Sequence, residues 1–382
     1  ALAAWAILAK RTRRMTQNLD TMTMPEFLEA RYQSEHIKMI SAVIIFIFLL
    51  PYSASIFKGL GHLFESTFHI SFDFALIILV VITGIYLVLG GYFAVTVTSF
   101  IQGIIMLVGA VIMICVLVYK AGGLTEAITT VNTNYPEHVP VAQQPSWLTI
   151  ASLIFMTSVG SWGLPQMVQK FYAIKNEKVI PKAAIITTIF ALVIGITAYG
   201  SGILSHVFFD NNTVPKLANG GVNYDQIMPN LLAIKLPEAL LAIIMLLILS
   251  ASMSSLASLV LVSASSIAVD LYKGYLKKDV NEKTSLIIMR SFSILFIVAT
   301  YLISKLQLGF IVTMQSLSWG VLSGAFLAPY VFAIYSKKVT KAAAYAGIYS
   351  GAGSAIILTM ALGAANSALA ASIAIIVPFI VV

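Results

Sequence analysis

Ala251, Ser254 and Ser255 stand at positions i, i+3 and i+4 of a long uncharged run. On a helix the carbonyl of residue i faces the side chains at i+3 and i+4, where a serine hydroxyl reaches back to it. That spacing gathers one carbonyl and two hydroxyl oxygens around a point, a donor set suited to a small hard cation. Three oxygens are not a full shell, so a second helix must supply the rest. The surrounding stretch, SASMSSLASLVLVSASS at 250–266, holds eight serines in seventeen residues. On a wheel of about 100° per residue with Ala251 at the origin, Ser254, Ser255, Ser258, Val262 and Ser265 fall within about 60° on either side. Ser250, Ser252 and Ser263 fall off that face. Serines and small residues also mark tightly packed helix interfaces in membranes. The pattern alone leaves both readings open for one face, packing and ion binding.

A second stretch, TSVGSWGLPQ at 157–166, places Gly160, Gly163 and Pro165 within six residues at the middle of an apolar run. Glycine costs a helix about 1 kcal/mol, and proline about 3 kcal/mol together with a backbone hydrogen bond. Open backbone at membrane depth survives only where protein or a water-filled cavity satisfies it. Carriers use such breaks to bind solutes and ions at the midplane. A simple proline kink is the plainer reading. Ser161, Trp162 and Gln166 beside the break, and Gln315 and Trp319 on 308–335, are the candidate solute-binding residues. Trp162 is equally suited to packing or to a membrane interface.

These residues need apolar helices to carry them, and the composition supplies them. Of 382 residues, 59% are hydrophobic and 10% charged, against roughly 25% charged in soluble domains. No Asp, Glu, Lys, Arg or His occurs in 39–57, 74–119, 139–169, 183–205, 239–269, 306–336 or 342–382. A spanning helix takes about 20 apolar residues, so the chain reads as an all-α polytopic membrane protein. Runs this long exclude a barrel, whose strands alternate over about 10 residues. Spans are expected near 38–64, 74–90, 97–119, 147–169, 182–207, 238–269, 285–304, 308–335, 343–363 and from 367 onward. Residues 1–9 read as half a span, and both ends read as cut from a longer polypeptide. MPEFLEARY at 24–32 reads as a short interfacial helix with Pro25 near its start. NYDQIMPNLL at 223–232 reads as a short external helix.

The net charge of +8 is distributed by connection, with 18 of the 23 Lys and Arg residues in alternate loops. The positive-inside rule makes loops 10–38, 170–182, 270–290 and 337–341 cytoplasmic, and 120–146 and 209–236 external. Charges split among short inter-span loops argue against a nucleic-acid partner; the partner surface is the lipid bilayer of the cell membrane. Cys115 is the only cysteine and lies within a span, so no intramolecular disulfide forms. Catalysis is poorly supported: neither H-E-x-x-H nor G-x-S-x-G is present. Proton-coupled carriers place Asp, Glu or His within their spans. The uncharged stretches above have none, and the five His residues (His36, His62, His69, His138 and His206) sit at loops or span ends, which suits Na⁺ held by neutral oxygens. A channel reading lacks a selectivity ring.

The chain resembles the sodium:solute symporter family over essentially its whole length. The resemblance rests on RTRRMT at 11–16 with TMPEFLEARY at 23–32, PYSASIFKGLGHLFES at 51–66, GGYFAVTVTSFIQG at 90–103, GLPQMVQKFYAIK at 163–175, SASMSSLASLVLVSASSIAVDLY at 250–272 and SWGVLSGAFLAP at 318–329. It implies a leucine-transporter-type five-plus-five inverted-repeat bundle. The whole chain is then one transmembrane transporter domain. Residues 1–119 are the remainder of an incomplete first repeat, 147–335 are the second repeat, and 343–382 are additional spans. The resemblance implies that Ala251, Ser254 and Ser255 are sodium ligands, the others coming from the broken helix of the first repeat. Without that helix, the chain as given is expected to hold sodium poorly. Many members carry Thr-Asp where this chain has Thr98-Ser99, and the acid is associated with a second sodium. One coupling ion is therefore expected, and no cofactor. The implied function is Na⁺-coupled symport of a small organic solute, carboxylate or amino-acid-like; the alternative is a membrane sensor of the same fold fused to a signalling module. GLP at 163–165 and EARYQS at 29–34 look more like the pantothenate and monocarboxylate branches than the proline branch.

Overall fold

A computed structural model describes residues 2–138, 146–210, 212–276 and 281–382, without the side chains of 88–94, 134–138 and 282. Parts of the connections 120–146, 209–236 and 270–290, and side chains of the 90–103 motif, lie outside the described residues. After a π turn at Trp5–Ala9, the helices are α1 Lys10–Asn18, α2 Met24–Tyr32, α3 Glu35–Phe68, α4 Phe72–Lys120, α5 Leu124–His138, α6 Trp147–Ser158, α7 Pro165–Tyr172, α8 Ile180–Phe208, α9 Tyr224–Lys235, α10 Glu238–Ser265, α11 Glu282–Lys305, α12 Ile311–Tyr335, α13 Lys341–Leu362 and α14 Ser367–Val381. Among the described residues, eight helices are long and apolar enough to cross a membrane, or nine if the bent pair Trp147–Gly163 and Pro165–Tyr172 counts as one span. The chain is an all-α multi-pass membrane protein.

Two expected spans, 74–90 and 97–119, are assigned as the single helix α4. No proline or charge lies between them, and the Gly90–Gly91 pair is too weak a breaker to end so apolar a helix. α4 is nevertheless not straight. The Tyr86 hydroxyl is hydrogen-bonded to that of Thr98, although twelve residues of straight helix span about 18 Å. Thr83 donates to Met253 Sδ at 3.5 Å and Ser254 donates to Ser99 at 3.3 Å. Neighbouring residues of α10 thus touch points that a straight α4 would hold about 24 Å apart. The chain turns between Tyr86 and Thr98.

The contacts divide the chain into two compact units, one of 1–55, 146–187 and 257–382, the other of 56–145 and 188–256. The first is built around α12. Seventeen of its residues between Met314 and Ile334 are buried, as in a helix enclosed on all sides. Small residues let its neighbours approach. A Cβ on Gly351 of α13 would lie 2.0 Å from the Gly324 carbonyl oxygen, whereas one on Gly353 would meet nothing within 4 Å. Gly351→Ala is therefore expected to cost about 1–3 kcal/mol or more by overpacking. Gly353→Ala should stay within about 0.5 kcal/mol of neutral or stabilise slightly. Thermal unfolding in detergent checks the pair; equal effects would contradict this packing.

The first cytoplasmic connection is packed against that unit rather than lying loose. Thr23 caps α2 in a reciprocal box with Glu26, with Pro25 in the first turn, as such a sequence favours. Met24, Pro25, Phe27, Leu28 and Tyr32 are buried, so α2 packs much of its surface against protein. Arg31 bonds the Ala333 and Ser336 carbonyls at 3.1 and 2.6 Å, closing the C-terminal end of α12. Tyr32 donates to the Pro329 carbonyl at 2.6 Å. Burial pushes its phenol up to about 12, so it remains a donor throughout the physiological range. Asp270, expected at the start of a cytoplasmic loop, instead lies fully buried in a π-helical extension of α10, Ser266–Leu276. Its Oδ1 accepts from Thr23 at 2.5 Å. The Lys38 ammonium pairs with Glu29 at 2.8 Å beside this extension, where Gly274 leaves it room.

In the second unit, a short helix expected at 223–232 is present as α9. Lys58 of α3 pairs with Asp225 of α9 at 2.7 Å, both side chains under a tenth exposed. Leu231, Leu232 and Leu236 join Leu117, Leu204 and Ile244 in the core beneath.

Candidate functional site

The oxygen-bearing turn Ala251–Ser255 lies in an unbroken part of α10 in the second unit. All three residues are half-buried, between the buried Ser250 and Leu256. Their i, i+3, i+4 spacing puts the three residues on one face of this helix. Ser255 makes no hydrogen bond among the described residues. Ser254 reaches Ser99 of α4 at 3.3 Å. Ser99 is the position where many members of the resembled family carry an acid. Its side chain adds a further neutral oxygen next to the triad from a second helix segment. Among the described residues no group of three or more His, Cys, Asp or Glu could hold a metal ion.

The helix break in the first unit falls where the glycines and proline put it. α6 ends at Ser158, Gly160–Gly163 form a 3-10 turn, Leu164 is extended, and α7 restarts at Pro165 with a bend of 45°. Pro165 suits the first turn because its missing N–H is unpaired there anyway. Gly160 and Gly163 are buried against α12. The Ser323 hydroxyl donates to the Gly160 carbonyl, which answers the opened backbone group. A Cβ on Gly163 would lie 2.9 Å from Ser323 Cα and 2.8 Å from Leu327 Cβ. Ser323 was not legible as a functional residue. It is one of several serines on an apolar helix, and only the fold shows that it meets residue 160.

The five candidate solute-binding residues all belong to this unit, but they do not converge on one point. Gly160 meets Ser323 and Gly163 meets Leu327, so the break and α12 run in the same direction. Trp319 lies one turn before Ser323 and Gln315 two turns before it, about 12 Å along the axis from Gln315 to Ser323. Gln166 lies on the far side of the break, roughly 16 Å from the level of Trp319. Gln166 is 5% exposed and neither of its side-chain polar atoms has a partner among the described residues. The Trp319 Nε1 is likewise buried and unpartnered, and its ring meets Tyr52 edge-on at 5.7 Å. Buried polar atoms left unpaired carry a cost, which water or a solute would relieve. Ser161 bonds only the Ser158 carbonyl at 3.4 Å; it, Trp162 and Gln315 are half-buried.

The sodium:solute symporter family model matches residues 1–351. Sodium/proline symporter 2 of Staphylococcus saprophyticus subsp. saprophyticus is 28% identical over 363 residues, covering 92% of this chain and 69% of that protein. The sodium/proline symporter of Staphylococcus aureus is 29% identical over 343 residues, covering 87% of this chain and 65% of that protein. The chain thus spans about two thirds of the length of these curated relatives. Among solved structures, that of a Na⁺-coupled sialic acid symporter in its substrate-bound outward-open state matches with a TM-score of 0.76 at 19% identity. The match covers 99% of this chain and 81% of that one, and it establishes a shared fold. All three are named as symporters, so the sensor alternative gains no support.

Proposed function

The chain belongs to the sodium:solute symporter family, and from that premise we propose that it serves Na⁺-driven uptake of a small organic solute by alternating access. The observation that carries the reading is the neutral oxygen edge of α10, Ala251, Ser254 and Ser255, within a stretch, 239–269, that holds no charged residue. Sodium binds there and the solute binds at the broken helix α6–α7. The unpartnered amide of Gln166 is a polar group available to it at the break, with Ser161 and Trp162 nearby in sequence, whereas Trp319 and Gln315 lie at a different level along α12.

The solute carries a carboxylate. The relatives' names mention proline and the structural neighbour's mentions sialic acid, both carboxylates. The N-terminal end of a half-helix such as α7 favours negative charge. With serine at position 99, one sodium ion is coupled per cycle. For a zwitterion such as proline, one cation entering down about 100 mV and a tenfold gradient supports roughly 500-fold accumulation; for a monoanion the cycle moves no net charge and only the tenfold sodium gradient drives it.

The test is uptake by the full-length protein in vesicles, with proline, pantothenate, a short monocarboxylate and sialic acid supplied in turn, with and without a sodium gradient. One of them is expected to accumulate only with sodium, with a Hill slope for sodium near 1. Accumulation equal in sodium and potassium would end the proposal.

A further inference from the structure

A basic cavity of about 450 Å³ opens in the first unit, lined by Lys10, Arg11, Arg14, Met15 and Ile334. We propose that this cavity is a binding site for the phosphate headgroup of an anionic glycerophospholipid of the cytoplasmic leaflet. The partners of the nearby basic residues single it out. Arg13 bonds the Tyr172 carbonyl at 2.6 Å, and Arg31 is committed to the end of α12. Arg14 is held by both oxygens of Glu177. Lys10 reaches that carboxylate only at 3.8 Å, and Arg11 forms no ion pair among the described residues. Three cations against one carboxylate leave the cavity a net charge of +2, sited on Lys10 and Arg11.

The Arg11 guanidinium lies 4.1 Å over the Tyr335 ring. Stacking fixes its plane and leaves the N–H edge available for the two-pronged contact that phosphate oxygens accept. The walls are fastened: Thr12 and Tyr330 share a hydrogen bond of 2.6 Å, and Tyr335 donates to the Ile7 carbonyl at 2.6 Å. Met15 and Ile334 give the cavity an apolar side. Ile7, four residues before Arg11, is 39% exposed and offers a surface along which an acyl chain can run into the bilayer. Free phosphate would use the cations but not the apolar surface. Basic pockets on the cytoplasmic side of membrane helices suit such headgroups.

The test is native mass spectrometry of the full-length protein, purified and equilibrated with micelles of phosphatidylcholine containing phosphatidylglycerol as the probe. The wild type is expected to retain phosphatidylglycerol preferentially. K10Q and R11Q should each lower retention about fivefold, and the double variant roughly 20-fold. R11K should recover part of the loss. K182Q, an exposed lysine on another cytoplasmic connection, should change nothing. Circular dichroism and gel filtration establish that the variants fold. Retention by the folded double variant equal to wild type overturns the proposal, as does an equal loss in K182Q. Displacement of the lipid by millimolar inorganic phosphate would assign the cavity to a soluble anion and overturn it as well.

Discussion

Ser255→Ala is expected to raise the sodium concentration for half-maximal uptake by roughly 10- to 100-fold while leaving the fold intact. Hydrogen-bond-like contacts to a charged group contribute about 1.5–3 kcal/mol, and a lost sodium ligand falls in that range. Ser255 separates the two readings of the serine face because it makes no hydrogen bond among the described residues. Were it a packing residue, alanine would alter thermal stability and leave the sodium dependence unchanged. As a ligand, it does the reverse. Ser254→Ala should shift sodium affinity as strongly, but it also leaves Ser99 without its 3.3 Å partner and so carries a structural cost. Ser265 bonds the Val262 carbonyl at 3.0 Å, the local bonding of a serine that only packs. Ser265→Ala should therefore take up solute with the wild-type sodium requirement. Uptake measured across a sodium series for the three variants decides. A Ser255→Ala variant with an unchanged half-saturating concentration would remove the triad from the mechanism.

What the sequence made legible was local. Gly160, Gly163 and Pro165 together within six residues weaken a helix locally, and α6 breaks there. Thr23, Pro25 and Glu26 start a helix by their own capping, and α2 starts there. The i, i+3, i+4 spacing of Ala251, Ser254 and Ser255 puts them on one face of any helix. The missed features each depend on residues distant in sequence. Ser323 answers the carbonyl of Gly160, and Thr23 bonds Asp270 at a separation of 247 residues. Asp270 looked like the first residue of a cytoplasmic loop because a carboxylate usually ends an apolar run. One of its oxygens accepts from Thr23, and the helix continues past it. The turn within α4 was anticipated from the two expected spans, 74–90 and 97–119, and it falls between Tyr86 and Thr98. The spread of Gln166, Trp319 and Gln315 along the axis was hidden, because sequence gives the level of a residue on its own helix, not the register between helices.

That register sets the second large effect. Gly163→Ala is expected to abolish uptake and to destabilise the protein by about 1–3 kcal/mol. The methyl group would press on Ser323 Cα at 2.9 Å, and backbone cannot rotate away as a side-chain tip can. The break would have to move off α12, taking the Gly160 carbonyl from the Ser323 hydroxyl. Ser323→Ala reaches the same carbonyl from the other side. It leaves a buried acceptor unpaired at a cost of about 1–3 kcal/mol but adds no clash. The two changes share one contact, so their effects should not add: the double variant should lose less stability than the sum of the singles. Gly202, where a Cβ would meet nothing within 4 Å, is the control, and Gly202→Ala should transport normally. Thermal unfolding of the four proteins gives the coupling, and solute uptake gives the functional cost. Strict additivity would mean that the break and α12 are not held together through residues 160 and 323. Normal uptake by Gly163→Ala would mean that close approach at the break is not needed for transport.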